Sequence, residues 1–162
     1  MLQPSRQSPV LFILGATTSG KTETSLHLAQ HLDIEIVNAD SRLVYKGMDI
    51  GTAKPTKAEQ LLVKHHLLDL IQPDDPFNLG IYIEKARAVI DDILLRNKVP
   101  VVVGGTGQYS WALIEGWNIP KVTPDLDLRR SFQLKLENMG LPSLAQDLLD
   151  IDPDAANKVD LN

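Results

Sequence analysis

Three short apolar runs stand out along the chain: residues 9–15 (PVLFILG), 34–40 (IEIVNAD) and 99–105 (VPVVVGG). They are nearly continuous rather than alternating, which fits strands buried on both faces of a parallel sheet. A helical period follows the first run over 21–32, with Leu26, Ala29 and Leu32 on one face. Another precedes the third run over 81–98, where Ala86, Val89, Ile90, Ile93 and Leu94 share a face and Asn78 serves as N-cap. The order strand, helix, strand, helix, strand predicts an α/β fold built from βαβ units. Beyond Pro124 the pattern becomes purely helical: Leu128, Phe132, Leu136 and Met139 form one stripe, Gly140 stops it, and a further helix is predicted over 143–150. Between the second run and the second helical pattern lies a connection over 41–77, rich in Gly, Pro and Lys. A connection that long inside a compact domain is usually functional.

Composition narrows the class. Hydrophobic residues make up 43% and charged residues 23% of the 162, ordinary values for a soluble globular chain. No apolar run approaches the roughly 18 residues that span a bilayer, and the first residues lack a signal-peptide core. Without cysteine, disulfides and thiolate metal sites are excluded within this segment, which suits the cytoplasm. A net charge of −5 argues against a generic nucleic-acid binder. The charge is uneven, however. Over 41–66, Arg42, Lys46, Lys54, Lys57 and Lys64 face only Asp49 and Glu59, whereas acids exceed bases beyond residue 120. The basic stretch is a candidate for contact with a phosphate backbone.

The first apolar run leads directly into GATTSGKT: Gly15, Ala16, Thr17, Thr18, Ser19, Gly20, Lys21 and Thr22. This satisfies G-x-x-x-x-G-K-[ST] between a strand and a helix, the context in which the motif cradles phosphate. Glycines let backbone N–H groups point inward, the helix N-terminus adds its positive dipole end, Lys21 supplies a point charge and the Thr22 hydroxyl can ligate Mg²⁺. A chance match in a chain of this length is on the order of 0.01 or less. The fold class is therefore a P-loop NTPase-like parallel sheet flanked by helices, with a helical C-terminal segment.

A P-loop NTPase usually carries a metal-binding acid at the end of a neighbouring strand. Here the third run ends in GGTGQY, and the acid, Asp40, ends the second run instead. Ligands of open α/β sheets sit beyond the carboxyl ends of the strands. That rule gathers the phosphate loop, Asp40 and Thr106 at one crevice, and leaves Asp40 open as a metal ligand or as an N-cap with no chemical role. Gly104, Gly105 and Gly107 suggest a backbone that comes close to a ligand.

Taken together, GATTSGKT, DSRLVYKGMDIGTAKPT, HHLLDLIQPDDPF, VVVGGTGQYSWALIEG and DIDPDAANKVD resemble the tRNA dimethylallyltransferase (tRNA isopentenyltransferase) family nearly from end to end. The resemblance implies transfer of a dimethylallyl group from dimethylallyl diphosphate to the exocyclic amine of an adenine beside the tRNA anticodon, with release of pyrophosphate. It implies that Gly15–Thr22 holds the donor diphosphate with Mg²⁺, although such loops are often labelled ATP sites. It further implies that Asp40 is the general base and orients the adenine amine of the tRNA, that Ser41, Arg42 and Leu43 contact the tRNA, that Thr106 is a tRNA contact beside the reacting atoms and a second catalytic position, and that Arg129 (or Arg130) is a further tRNA contact. Residues 1–120 are then the donor-binding core, and 121–162 a helical segment leading toward an anticodon-gripping region that lies outside this chain. The expected partners are the prenyl donor and the tRNA anticodon arm, the expected location is the cytoplasm, away from any membrane, and the expected state is a monomer.

Three positions depart from the family pattern: Leu43 for Gln, Gln108 for Leu and Lys64 for Pro. None falls in the cradle, at Asp40 or at Thr106. Two other enzymatic readings remain on the residues, an adenylate isopentenyltransferase acting on a free nucleotide and a small-molecule kinase with Arg129 and Arg130 as a lid. A ligand-binding core without turnover is a third. The pair His65–His66 lacks the i, i+4 spacing of a helical metal site, and Trp111 and Trp117 fit a core or a domain seam better than base stacking.

Overall fold

The computed structural model describes residues 9–120, 122 and 124–159. The chain divides into two compact units, Met1–Pro120 and Lys121–Asn162. In the first, the elements run β1 (Leu11–Leu14), α1 (Lys21–Ala29), β2 (Ile34–Asn38), α2 (Lys57–Leu62), β3 (His65–His66), α3 (Leu79–Leu95), β4 (Val99–Gly104) and α4 (Gly107–Ile114). The four strands form one sheet in the order β1-β4-β2-β3, every pair parallel.

The register explains where function can sit. Leu14 pairs with Gly104, and Asn38 pairs with Val103, so β1, β4 and β2 finish at the same edge. Their following loops therefore leave the sheet together. The sheet is covered on both faces, as its apolar strands require. Val37 and Val102 face Tyr82, Ala86, Ile90 and Ile93 of α3 together with Tyr109 and Ala112 of α4. Ile34, Ile36 and Val101 face the other way, against Leu26, Leu28 and Ala29 of α1. Adjacent residues of one strand thus serve opposite layers, the period-2 rule in action. Asn78 caps α3 as the sequence predicts, its side chain accepting from the Ile81 N–H at 3.0 Å.

The long connection is not structureless. It holds α2, the two-residue β3 and a parallel bridge between Tyr45 and Ile71. Thr56 and Glu59 start α2 with a reciprocal capping box. Helix α1 stops at Ala29, three residues short of the predicted end, and Leu32 is exposed. Trp117 packs against the core, with Arg87 donating to its carbonyl at 2.8 Å, whereas Trp111 is 53% exposed.

One buried charge ties the opposite edge of the sheet. Glu35 on β2 is nearly sealed from solvent and accepts from Arg96 at the end of α3, while the His66 ring lies 2.6 Å from its Oε2. Arg96 above all, with His66 and Lys98, holds this carboxyl far below the ordinary glutamate value near 4.5, against the opposing effect of burial. A depressed carboxylate contributes stability in full above its unfolded value, and that contribution is lost as pH falls below about 4.5. Glu35→Gln should therefore lower the melting temperature at pH 7 by about 5 °C. The gap between variant and parent should shrink toward pH 2–3; an equal gap at both pH values would contradict the assignment.

Among the described residues of the second unit the regular elements are all helices: α5 (Leu126–Met139), α6 (Leu141–Ile151) and α7 (Pro153–Ala156). Asp125 caps α5 and Asp152 caps α7 through their carboxylates. Gly140, at φ 77, makes the turn between α5 and α6, and Lys135 pairs with Asp147 across it at 2.5 Å. Among the described residues no helix is long and apolar enough to cross a membrane.

Candidate active site

The loops after β1, β2 and β4 line one cavity of about 960 Å³. Its floor is the phosphate loop. Gly20 is the N-cap of α1 at φ 83, a left-handed conformation that turns the chain from loop into helix at no side-chain cost. Thr18 takes φ 67. The Lys21 ammonium lies over the loop, donating to the carbonyls of Ala16 at 2.6 Å and Gly15 at 3.0 Å. Residues 15–20 are exposed, and Lys21 and Thr22 are half-buried at the head of the helix. A helix N-terminus and an ammonium meet at this loop, two of the physical requirements for holding a phosphate chain.

Asp40 follows β2 and is fixed by an internal lock. The buried Asn38 side chain accepts from the Asp40 N–H at 2.9 Å and donates to the Asp40 carbonyl at 3.0 Å and the Leu67 carbonyl at 3.1 Å. Asp40 Oδ1 accepts from the Arg42 N–H at 3.0 Å. The Asp40 carboxylate, half-buried, thus sits on a turn it helps to close, and it lines the cavity together with Lys21.

Thr106 joins the β4 loop to this turn. Its N–H donates to the Ala39 carbonyl at 3.1 Å, and its Oγ1 accepts from the Ser41 N–H at 3.0 Å and donates to Ser41 Oγ at 3.3 Å. Gly105 stands between the two loops: a Cβ there would lie 3.3 Å from the Gly15 carbonyl oxygen and 3.9 Å from Asp40 Oδ2. Gly104 has a different role from the ligand approach expected of it. A Cβ at that position would lie 2.2 Å from the Ala39 carbonyl carbon and oxygen, so this glycine lets two strands meet. Gly107 simply begins α4, and a Cβ added to it would meet nothing within 4 Å.

The structure brings the phosphate loop, Asp40, Ser41, Arg42, Leu43 and Thr106 to one cavity. Leu43 is buried at 9% exposure and is among the residues lining the cavity. Arg129 lies on α5 in the second unit, exposed. The basic stretch over 41–66 is weaker as a footing than its composition suggests. Lys54 is sealed in an ion cluster with Asp49 and Asp69, and Lys64 reaches toward Glu35 at 4.0 Å; Arg42, Lys46 and Lys57 remain exposed. Asn38 escapes the sequence reading, although an amide inside an apolar strand is itself a signal, because a buried polar group needs partners. His65 and His66 serve structure: the first contacts the Val63 carbonyl at 2.8 Å, the second Glu35.

Comparison with known proteins identifies relatives of this chain. The IPP transferase family pattern matches residues 43–162, and the isopentenyl transferase pattern matches 8–72. The tRNA dimethylallyltransferase of Herpetosiphon aurantiacus is 52% identical over 95% of this chain and 49% of its own length. That of Dehalococcoides mccartyi is 46% identical over 94% of this chain and 47% of its own. Among solved structures, the tRNA isopentenylpyrophosphate transferase of Bacillus halodurans superposes with a TM-score of 0.68 at 38% identity, covering 95% of this chain and 51% of that one. A eukaryotic dimethylallyltransferase acting on tRNA superposes with a TM-score of 0.75 at 30% identity, covering 93% and 37%. The chain spans about half the length of the curated relatives it matches.

Proposed function

This chain belongs to the IPP transferase family, and from that premise we propose that its cavity is the prenyl-transfer site of a tRNA dimethylallyltransferase. The observation that carries the reading is the convergence of a phosphate loop and a carboxylate, without an acid at the end of β4. A diphosphate seated on Gly15–Thr22 points its allylic carbon away from the loop, toward Asp40 and Thr106. The exocyclic amine of an adenine attacks that carbon: a C–N bond forms, the C–O bond to the diphosphate breaks, pyrophosphate leaves and the amine proton passes to Asp40. The base is needed because the amine lone pair is delocalised into the ring. Ser41, Arg42, Leu43 and Thr106 line the approach for the acceptor, and Arg129 on the second unit offers a further cation to tRNA. The reading carries with it a cytoplasmic, monomeric protein.

Mg²⁺ fits the donor set. The Thr22 hydroxyl is a hard oxygen donor at the head of α1 on this cavity, and such sites complete themselves with substrate phosphate oxygens. When bound, the ion neutralises charge on the departing pyrophosphate. Lys21 contributes to the same end from the chain itself, by exchanging its loop carbonyls for phosphate oxygens.

Thermal denaturation tests the donor assignment. Dimethylallyl diphosphate or pyrophosphate with Mg²⁺ should raise the melting temperature more than ATP at equal concentration, since a ligand of the folded state stabilises by mass action. Lys21→Ala should abolish the shift. A larger, Lys21-dependent shift with ATP would favour a kinase instead.

A further inference from the structure

Lys54 is a deeply buried, fully paired cation of the first unit, and it lies outside the machinery described above. Its side chain is 5% exposed, and its ammonium donates to Asp69 Oδ1 at 2.6 Å, Asp49 Oδ1 at 2.7 Å and the Tyr45 carbonyl at 3.0 Å. An ammonium has three donors, and all three are spent. The acceptors come from separate stretches of the long connection. Tyr45 bridges Ile71, Asp49 opens the loop that leads to Lys54, and Asp69 follows β3. The two acids leave the cluster net negative, so it has no charge to offer an incoming phosphate.

The backbone around this cluster is under strain. Ala53, immediately before Lys54, takes φ 53, and Asp69, which supplies the shortest contact, takes φ 52. Residues with a Cβ hold such conformations only where their surroundings over-determine them. What the strain shapes is a wall of the cavity. Gly51, Thr52, Ala53 and Pro55 line it, apart from the phosphate loop that forms its floor. The same cluster reaches the catalytic turn: the Asp69 N–H donates to the Leu43 carbonyl at 3.1 Å, three residues after Asp40. None of these ties involves β1 or α1, which carry the phosphate loop.

We infer that Lys54 is a positioning residue for the acceptor: its threefold clamp fixes the Gly51–Pro55 wall and the Asp40–Leu43 turn, while the diphosphate site stands without it. The inference rests on the reading of this cavity as a prenyl-transfer site. Lys54 is one of the five basic residues of the 41–66 stretch, yet its effect on RNA comes through the wall it holds rather than through a phosphate contact.

The test compares Lys54→Met, which keeps length and removes charge, with Lys54→Arg and Asp49→Asn, in an active form carrying this chain. Two quantities are read for each: the Kd for pyrophosphate with Mg²⁺, and kcat/KM for acceptor RNA. Lys54→Met should lower kcat/KM for RNA by about 10–100-fold, chiefly through KM, with the pyrophosphate Kd within about twofold of the parent. Lys54→Arg should recover most of that loss, and Asp49→Asn, which removes one exposed partner and leaves Asp69, should lose about 3–10-fold. Should Lys54→Met fail to fold, the Asp49→Asn and Lys54→Arg pair decides alone. Equal losses of donor and acceptor binding, or an unchanged RNA KM, would overturn the inference while leaving the site assignment intact. A parent that neither binds pyrophosphate through Lys21 nor transfers prenyl groups would overturn the site assignment and the inference with it.

Discussion

With Asp40 as the proposed base, replacing it by Asn should lower turnover by about 10²–10⁴ and leave donor affinity within about twofold. The substitution is informative because so little else changes. Asn keeps the shape and an oxygen able to accept from the Arg42 N–H, now 3.0 Å from Oδ1. The Asn38 lock acts on the Asp40 backbone, not on its carboxylate, and so survives. Lost is the one group on this turn that can take the proton of an adenine amine as the C–N bond forms. Single-turnover transfer and pyrophosphate binding, measured side by side in an active form, separate the roles. If donor affinity collapses with turnover, Asp40 acts as a ligand of the donor's cation rather than as the base.

The parts of this fold legible in the sequence are those where one pattern has one physical reading. β1, β2 and β4 are each found where an apolar run lies; β2 and β4 are buried on both faces, whereas β1, paired only with β4, is half-buried and its Leu14 is exposed. The stop at Gly140 is equally plain, since its φ of 77 favours glycine. β3 is not visible, because two histidines carry no period and are recruited by pairing with Ile36 and Val37. Helix α4 is hidden behind its glycines, although Tyr109 and Ala112 place it in the core. Charge misleads most. Lys54 counts among the basic residues of the long connection, yet its partner Asp69 lies fifteen positions away and outside the counted stretch. Composition cannot distinguish an ion pair inside the fold from a cation facing solvent.

Gly104→Ala should destabilise the first unit by more than about 3 kcal/mol, the largest stability effect expected of any single methyl group here. Overpacking usually meets side chains that can shift, at about 1–3 kcal/mol. Here the added Cβ would lie 2.2 Å from the Ala39 carbonyl carbon and oxygen and 2.7 Å from its Cα, all backbone. That backbone is held by the sheet: the Ala39 N–H donates to the Val103 carbonyl at 2.8 Å, and its own carbonyl accepts from Thr106 at 3.1 Å. Relief requires β2 to part from β4 at the edge where the cavity opens. Asp40, next in sequence to Ala39, and Thr106, two residues after Gly104, would then separate. The variant should accordingly melt about 6–12 °C lower and bind pyrophosphate weakly even where it remains folded. Gly107→Ala is the control, because a Cβ there meets nothing within 4 Å, and it should stay within about 0.5 kcal/mol of the parent. Equal stability of the two variants in urea denaturation would show that the strands do not meet as closely at Ala39 as the geometry requires.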